Sequence, residues 1–148
     1  MDRQEKWDRR FVELSKFIAQ WSLDPSTKVG AVITDTNRRV ISVGYNGLAQ
    51  GVEDLPERLN TRELKYKMTV HAEMNAILFA NSSLKGASLA TWPFMPCACC
   101  ASSVIQAGIK RVVAPWNDNP RWIAEFELSK QMFKEAGVKV CLLDIPEV

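Results

Sequence analysis

Apolar positions along the chain set the first expectations. In "EKWDRRFVELSKFIAQWS" (5–22), Trp7, Phe11, Leu14, Ile18 and Trp21 recur at steps of three or four, the helical repeat. This spacing predicts a helix whose buried stripe includes Trp7 and Trp21. "DPST" breaks it. "KVGAVITD" is apolar and β-branched, "TNRR" turns the chain and "VISVGY" reads as a second strand, so the pair predicts a hairpin. Residues 45–62, "YNGLAQGVEDLPERLNTR", lose the periodicity and form the longest irregular segment, with one helical turn near "PERLN". Loops of that length in a compact domain often carry function. A helix is expected from about residue 71, then a strand at "ASLATW", a helix over 97–107, a strand at "RVVA", a helix over 121–136 and a last strand at "KVCLLD". Strands alternating with helices from residue 87 on imply parallel strands joined by helical crossovers. The expected fold is therefore α/β, with a central mixed sheet of about five strands and helices on both faces, in a single domain over 1–148.

Composition narrows the function classes. The chain has 148 residues, 47% of them hydrophobic and 24% charged, enough for one buried core. A formal net charge of +2 lacks the basic excess of a polynucleotide binder but leaves a nucleotide open. No apolar run approaches the roughly 20 residues that span a bilayer. The charged start, "MDRQEKWDRR", is unlike a signal peptide, so a cytoplasmic location is expected. Thiols stay reduced there, and Cys97, Cys99, Cys100 and Cys141 are first read as metal ligands, reactive thiols or small core residues.

Two helix starts carry the chemistry. "HAE" (71–73) holds the only histidine, and "PCACC" (96–100) holds three of the four cysteines. Cys97 and Cys100 are three apart and share a helix face. A thiolate at a helix N-terminus is favoured by the dipole and the free N–H groups. Two thiolates and His71 balance and hold a Zn2+ ion while leaving one tetrahedral position open, as catalytic zinc sites do. Glu73 would point about 200° from His71 on a regular helix, but the first residues of a helix need not follow helical geometry. A carboxylate beside that open position can move protons. Either motif alone is weak; a helical His beside a Glu is usually just solvated. Together they match H-x-E…P-C-x-x-C, the signature of the zinc nucleobase deaminases.

With these motifs the chain resembles the zinc-dependent cytidine and deoxycytidylate deaminase superfamily, most of all its deoxycytidylate (dCMP) deaminases. The resemblance runs through "DPSTKVGAVI" (24–33), "GYNG" (44–47), "HAEMNAI" (71–77), "PCACCA" (96–101), "IQAGIKRVV" (105–113) and "AGVKV" (136–140). It implies the three-layer α/β/α cytidine-deaminase-like fold, zinc on His71, Cys97 and Cys100, and Glu73 as the proton carrier. It implies substrate contacts from Asn46 and from the backbone of Ala72, and hydrolysis of dCMP to dUMP and ammonia, feeding thymidylate synthesis. It further implies a homo-oligomer, a hexamer in the better-known members, regulated by dCTP and dTTP. An effector, with Mg2+, would meet the loop at Asn46, Gly47 and Glu53 or Asp54. Some relatives bind a second zinc through Cys or His between "GYNG" and "HAE". Residues 48–70 have neither, so one zinc is expected.

The remaining residues divide between chemistry and packing. Lys28 and Arg121 are the cationic candidates for a substrate phosphate, against the ordinary reading of solvated side chains. "PWNDNPRWIAEF" (115–126) lies where several dCMP deaminases place a substrate-facing loop, and its wording departs from theirs. Cys99 is expected to be buried or idle rather than a ligand, Cys141 and Phe79 to be core, and Trp92 to pack or to border the pocket. "EDLPER" reads as solvated. Two other function classes remain in view. One is deamination of free cytidine, cytosine, a modified dCMP or a tRNA adenosine; the other is a non-catalytic zinc protein serving assembly or effector sensing, for which Glu73 would have no use.

Overall fold

The computed structural model describes residues 1–145. Helix α1 (Arg3–Ala19) starts at Asp2, whose carboxylate accepts from the Glu5 N–H at 2.7 Å as an N-cap. Strands β1 (Gly30–Thr34) and β2 (Val40–Tyr45) form the expected antiparallel hairpin. Its turn is closed by Asp35, whose Oδ1 accepts from the Asn37 and Arg39 N–H groups. The chain then makes a short strand β3 (Gly47–Leu48), helices α2 (Pro56–Asn60) and α3 (Arg62–Met68), and β4 (Thr69–Val70), which pairs with β3. Helix α4 (Ala72–Leu78), β5 (Ser88–Trp92), α5 (Ala98–Gln106), β6 (Arg111–Pro115), α6 (Ile123–Glu135) and β7 (Lys139–Leu143) complete the order.

The main sheet has five strands in the order β2-β1-β5-β6-β7. β1 is antiparallel to both neighbours, and β5, β6 and β7 run parallel, as alternation with helices requires. Side chains alternate across it. Leu89, Val112 and Ala114 face a core shared with Ala72 and Ala76 of α4, Val104 of α5 and Phe126 and Phe133 of α6. Ala90 and Val113 face the other way, onto Val12 of α1. Helices thus cover both faces, and the mixed three-layer expectation holds.

Three local expectations fail for physical reasons. The buried stripe of α1 is Asp8, Val12, Ser15, Ile18 and Ala19, rotated from the aromatic stripe. Small residues let the helix approach so closely that a Cβ at Gly30 would lie 1.9 Å from the Ser15 carbonyl oxygen. Asp8 is buried because Arg111 of β6 grips it with two hydrogen bonds of 2.7 and 2.5 Å. Trp21 falls beyond the helix end, 52% exposed, against Tyr45 and Phe17. The segment after "GYNG" is more regular than expected, because "RELKYKM" forms α3, too short for its apolar residues to show a helical period. Phe79 is 61% exposed, since α4 ends at Leu78 over the edge strand β2.

Candidate metal and catalytic site

His71 and Cys97 occupy equivalent places on two helices. Each is the N-cap, in extended conformation, of the helix that follows it, α4 and α5 respectively. Cys100 sits in the first turn of α5. This non-helical start turns His71 toward the neighbouring helix. Its Nδ1 lies 3.2 Å from the Cys100 Sγ and 3.7 Å from the Cys97 Sγ. All three ligand atoms lie within 4.8 Å of one another. A tetrahedral zinc with bonds of about 2.3 Å to sulfur and about 2.05 Å to nitrogen spaces S and N by about 3.5 Å. The two observed S···N distances bracket that value, so the donor set and its spacing both fit zinc.

The electrostatics fit as well. The Cys97 thiol is pulled down to about 4, chiefly by a hydrogen bond from the Cys100 side chain and also by His71 and the Cys100 N–H. Cys100 is pushed up by the same sharing with Cys97 and by burial. His71 is raised, first by its hydrogen bond with Cys97. Cys97 is therefore the readiest ligand of the trio, and a metal bound there would displace the proton that Cys100 holds. Glu73 is buried, at 4% exposure, in the first turn of α4. Burial pushes its carboxyl up to about 7; its own backbone N–H opposes the shift, and the nearby Cys97 adds to it.

The family description "Cytidine and deoxycytidylate deaminase zinc-binding region" matches residues 5–115. The chain belongs to this deaminase family. A relative described as an uncharacterized deaminase in the luxG 3' region of Aliivibrio fischeri is 44% identical over 143 residues, spanning 95% of both chains. The deoxycytidylate deaminase of Mus musculus is 40% identical over 139 residues, 90% of this chain and 77% of the mouse protein. The solved dCMP deaminase of cyanophage S-TIM5, in complex with dCMP and dUMP, superposes with a TM-score of 0.73 at 24% identity. That match covers 97% of this chain and 99% of the phage one, and it shows the shared deaminase fold.

Around the deaminase motifs, glycine and asparagine do structural work. A Cβ at Gly44 would lie 2.4 Å from the Ala72 carbonyl oxygen and 2.5 Å from the Ala76 nitrogen. Only glycine lets β2 come so close to α4, so Gly44 seats the helix that presents His71, fully buried Ala72 and Glu73. Asn46 is buried at 7% exposure. Its Oδ1 accepts from the Val29 N–H and its Nδ2 donates to the Thr27 carbonyl, both at 2.9 Å. The side chain therefore shapes the 24–29 loop and keeps one N–H beyond that bond. Asp24 clamps the same loop from its other end, accepting from the Ser26 and Thr27 N–H groups and pairing at 3.2 Å with Lys65 of α3. Nothing in the hydrophobic pattern marked Asp24, Lys65 or Gly44; only their place in "DPSTKVGAVI" and "GYNG" gave a hint for two of them.

The other candidates lie further out. Lys28 is exposed on the 24–29 loop. Arg121 is exposed with its guanidinium 4.8 Å from the Trp122 ring centre. Gly47 is half-buried in β3, and Glu53 and Asp54 are exposed in the loop before α2. Cys99 is exposed and outside the metal trio, and Cys141 is half-buried with its sulfur 3.3 Å from Arg111 Nη2. Trp92 packs on the α1 side of the sheet, with Val12 and Phe11. The segment 115–126 reaches the metal loop: Trp122 and Phe126 pack on Phe94, at 5.6 and 5.5 Å between ring centres.

Proposed function

We propose that this chain hydrolyses dCMP to dUMP and ammonia, with one zinc ion held by His71 Nδ1, Cys97 Sγ and Cys100 Sγ. The convergence of those three atoms within 4.8 Å, beside a buried Glu73, carries the reading. The deoxycytidylate deaminase relatives at 37–40% identity support the substrate. Bound there, zinc supplies a Lewis acid that makes water nucleophilic near neutral pH. Glu73 takes a proton from the attacking water and delivers it to N3 of the cytosine ring. It then takes the second proton from the hydroxyl now on C4 and delivers it to the amino group, so that the C4–N bond breaks, the C4 carbonyl forms and ammonia leaves. A carboxyl pushed up to about 7 suits both directions of transfer.

The remaining roles follow the site's layout. The Ala72 backbone, fixed at the start of α4, holds the pyrimidine. Asn46 offers its free amide N–H to the sugar. Lys28, on the loop that Asn46 ties, and Arg121, over the Trp122 ring that packs on Phe94, are the candidates for the phosphate. The chain is read as a single domain, with dCTP and dTTP, carried with Mg2+, acting at the 46–54 loop through Asn46, Gly47 and Glu53. The exposed ring cluster of Phe17, Trp21 and Tyr45 supports a homo-oligomer, hexameric by family resemblance. Four free thiols fit a cytoplasmic location, and no described helix is long and apolar enough to cross a membrane.

Ammonia release measured across dCMP, CMP, deoxycytidine and a tRNA anticodon stem tests the substrate. Turnover is expected on dCMP; turnover of deoxycytidine alone would remove the phosphate from the proposal. Glu73→Ala should lower kcat by at least about 100-fold with zinc retained. A Glu73→Ala protein that still deaminated dCMP normally would end the assignment.

A further inference from the structure

The helix that carries both cysteines begins under an unusual constraint. An N-cap side chain normally offers an oxygen to the exposed N–H groups of the first turn. Here the N-cap is Cys97, whose sulfur faces His71. The Ala98 N–H, which an N-cap side chain does not reach, finds its oxygen on another helix. Glu125, in the first turn of α6, accepts a 2.9 Å hydrogen bond through Oε1 from the Ala98 N–H, the residue between Cys97 and Cys99. Its neighbours hold the other side of the same loop. Phe126, 6% exposed, and Trp122 pack on Phe94, in the stretch that leads to Cys97. The first turn of α6 therefore grips the cysteine loop on both flanks, with a carboxylate after Cys97 and two rings before it.

We infer that Glu125 is a positioning residue for the metal: its bond to the Ala98 N–H fixes the Cys97 backbone and so the spacing of the two sulfurs. This rests on the zinc site proposed above and assigns Glu125 no contact with substrate. Groups that orient metal ligands from behind typically contribute 10–100-fold in metal affinity. The bond needs an acceptor oxygen at the right reach, which glutamine also supplies and alanine or aspartate does not.

The test follows zinc rather than turnover. Zinc-loaded protein is mixed with a colorimetric chelator at 25 °C, and the rate of zinc loss is read for wild type, Glu125→Ala, Glu125→Gln and Phe133→Leu. Phe133 is fully buried elsewhere in α6, so its variant reports general loosening of that helix. Glu125→Ala is expected to lose zinc at least about 10-fold faster, Glu125→Gln to stay within about 3-fold of wild type, and Phe133→Leu to lower Tm without changing the rate. Glu125→Asp, one methylene short, replaces the alanine variant under the same criteria if that variant does not fold. Wild-type zinc loss in the truncated variant, equal loss in Gln and Ala, or equal acceleration by Phe133→Leu would each overturn the inference. Zinc is read without dCMP, so a protein that keeps zinc but leaves dCMP unchanged refutes the reaction and not Glu125.

Discussion

At the scale of single residues, Glu73 carries a cost that its chemistry explains. Its carboxyl ordinarily titrates at 4.5 and is pushed up to about 7 by burial. Below pH 4.5 the folded and unfolded chains both hold the proton. Between about 4.5 and 7 only the folded chain does, so stability falls as pH rises through that window and is flat above it. The total amounts to about 3 kcal/mol. Glutamine has no proton to lose, so Glu73→Gln should escape this decline. Urea unfolding of chelator-stripped wild type and Glu73→Gln at pH 5 and pH 8 should show the variant gaining about 2.5 kcal/mol relative to wild type between the two pH values, since part of the loss has already occurred by pH 5. Parallel pH profiles would mean that the carboxyl is not desolvated. A group held at such a cost in the first turn of α4, beside the metal trio, is more readily explained by proton transfer than by packing.

At the scale of elements, the site is a junction of two helix starts, and close packing sets their positions. Gly44 lets β2 and α4 touch backbone to backbone. Gly44→Ala must separate them by pushing on the Ala72 carbonyl and the Ala76 nitrogen, neither of which is a flexible side-chain end. Overpacking of this kind costs about 1–3 kcal/mol. We expect that loss in urea unfolding, together with reduced zinc content, because α4 carries His71 away from the cysteines. Unchanged stability and zinc content would show that the strand and helix separate freely. The same junction explains what was legible in the sequence. The strands and the longer helices appeared as hydrophobic periods, and "HAE" with "PCACC" gave the metal trio through residue type and spacing. The rotated face of α1 was not legible, because Asp8 is buried by an arginine 103 positions away and the large aromatics conceal the small residues that make the real contact. Nor was Glu125, whose partner is a backbone N–H on another helix. A hydrophobic pattern records which side chains avoid water; it does not record which polar groups meet.

At the scale of the whole molecule, the segment between β3 and β4 is attached to the main body by few strong links. Helix α3 packs chiefly on α2. Its buried Lys65 reaches Asp24, which also accepts from the Ser26 and Thr27 N–H groups, while Asn46 ties Thr27 and Val29 from the other side. One ion pair thus joins a peripheral helix to the loop that bears Lys28. A buried hydrogen bond to a charged group contributes about 1.5–3 kcal/mol. Lys65→Met keeps the apolar stem and removes the charge. Asp24 retains its two N–H donors, so the main sheet should stay folded while α3 opens locally. Amide hydrogen exchange should then speed up by about 10–100-fold in residues 62–68 and less in 24–29, with β1, β5 and β6 unchanged. Equal acceleration everywhere would mean that Lys65 supports the global fold instead. No acceleration in 62–68 would mean that the pair contributes nothing, as many exposed pairs do; its two side chains are only 11% and 9% exposed, which argues for the local loss.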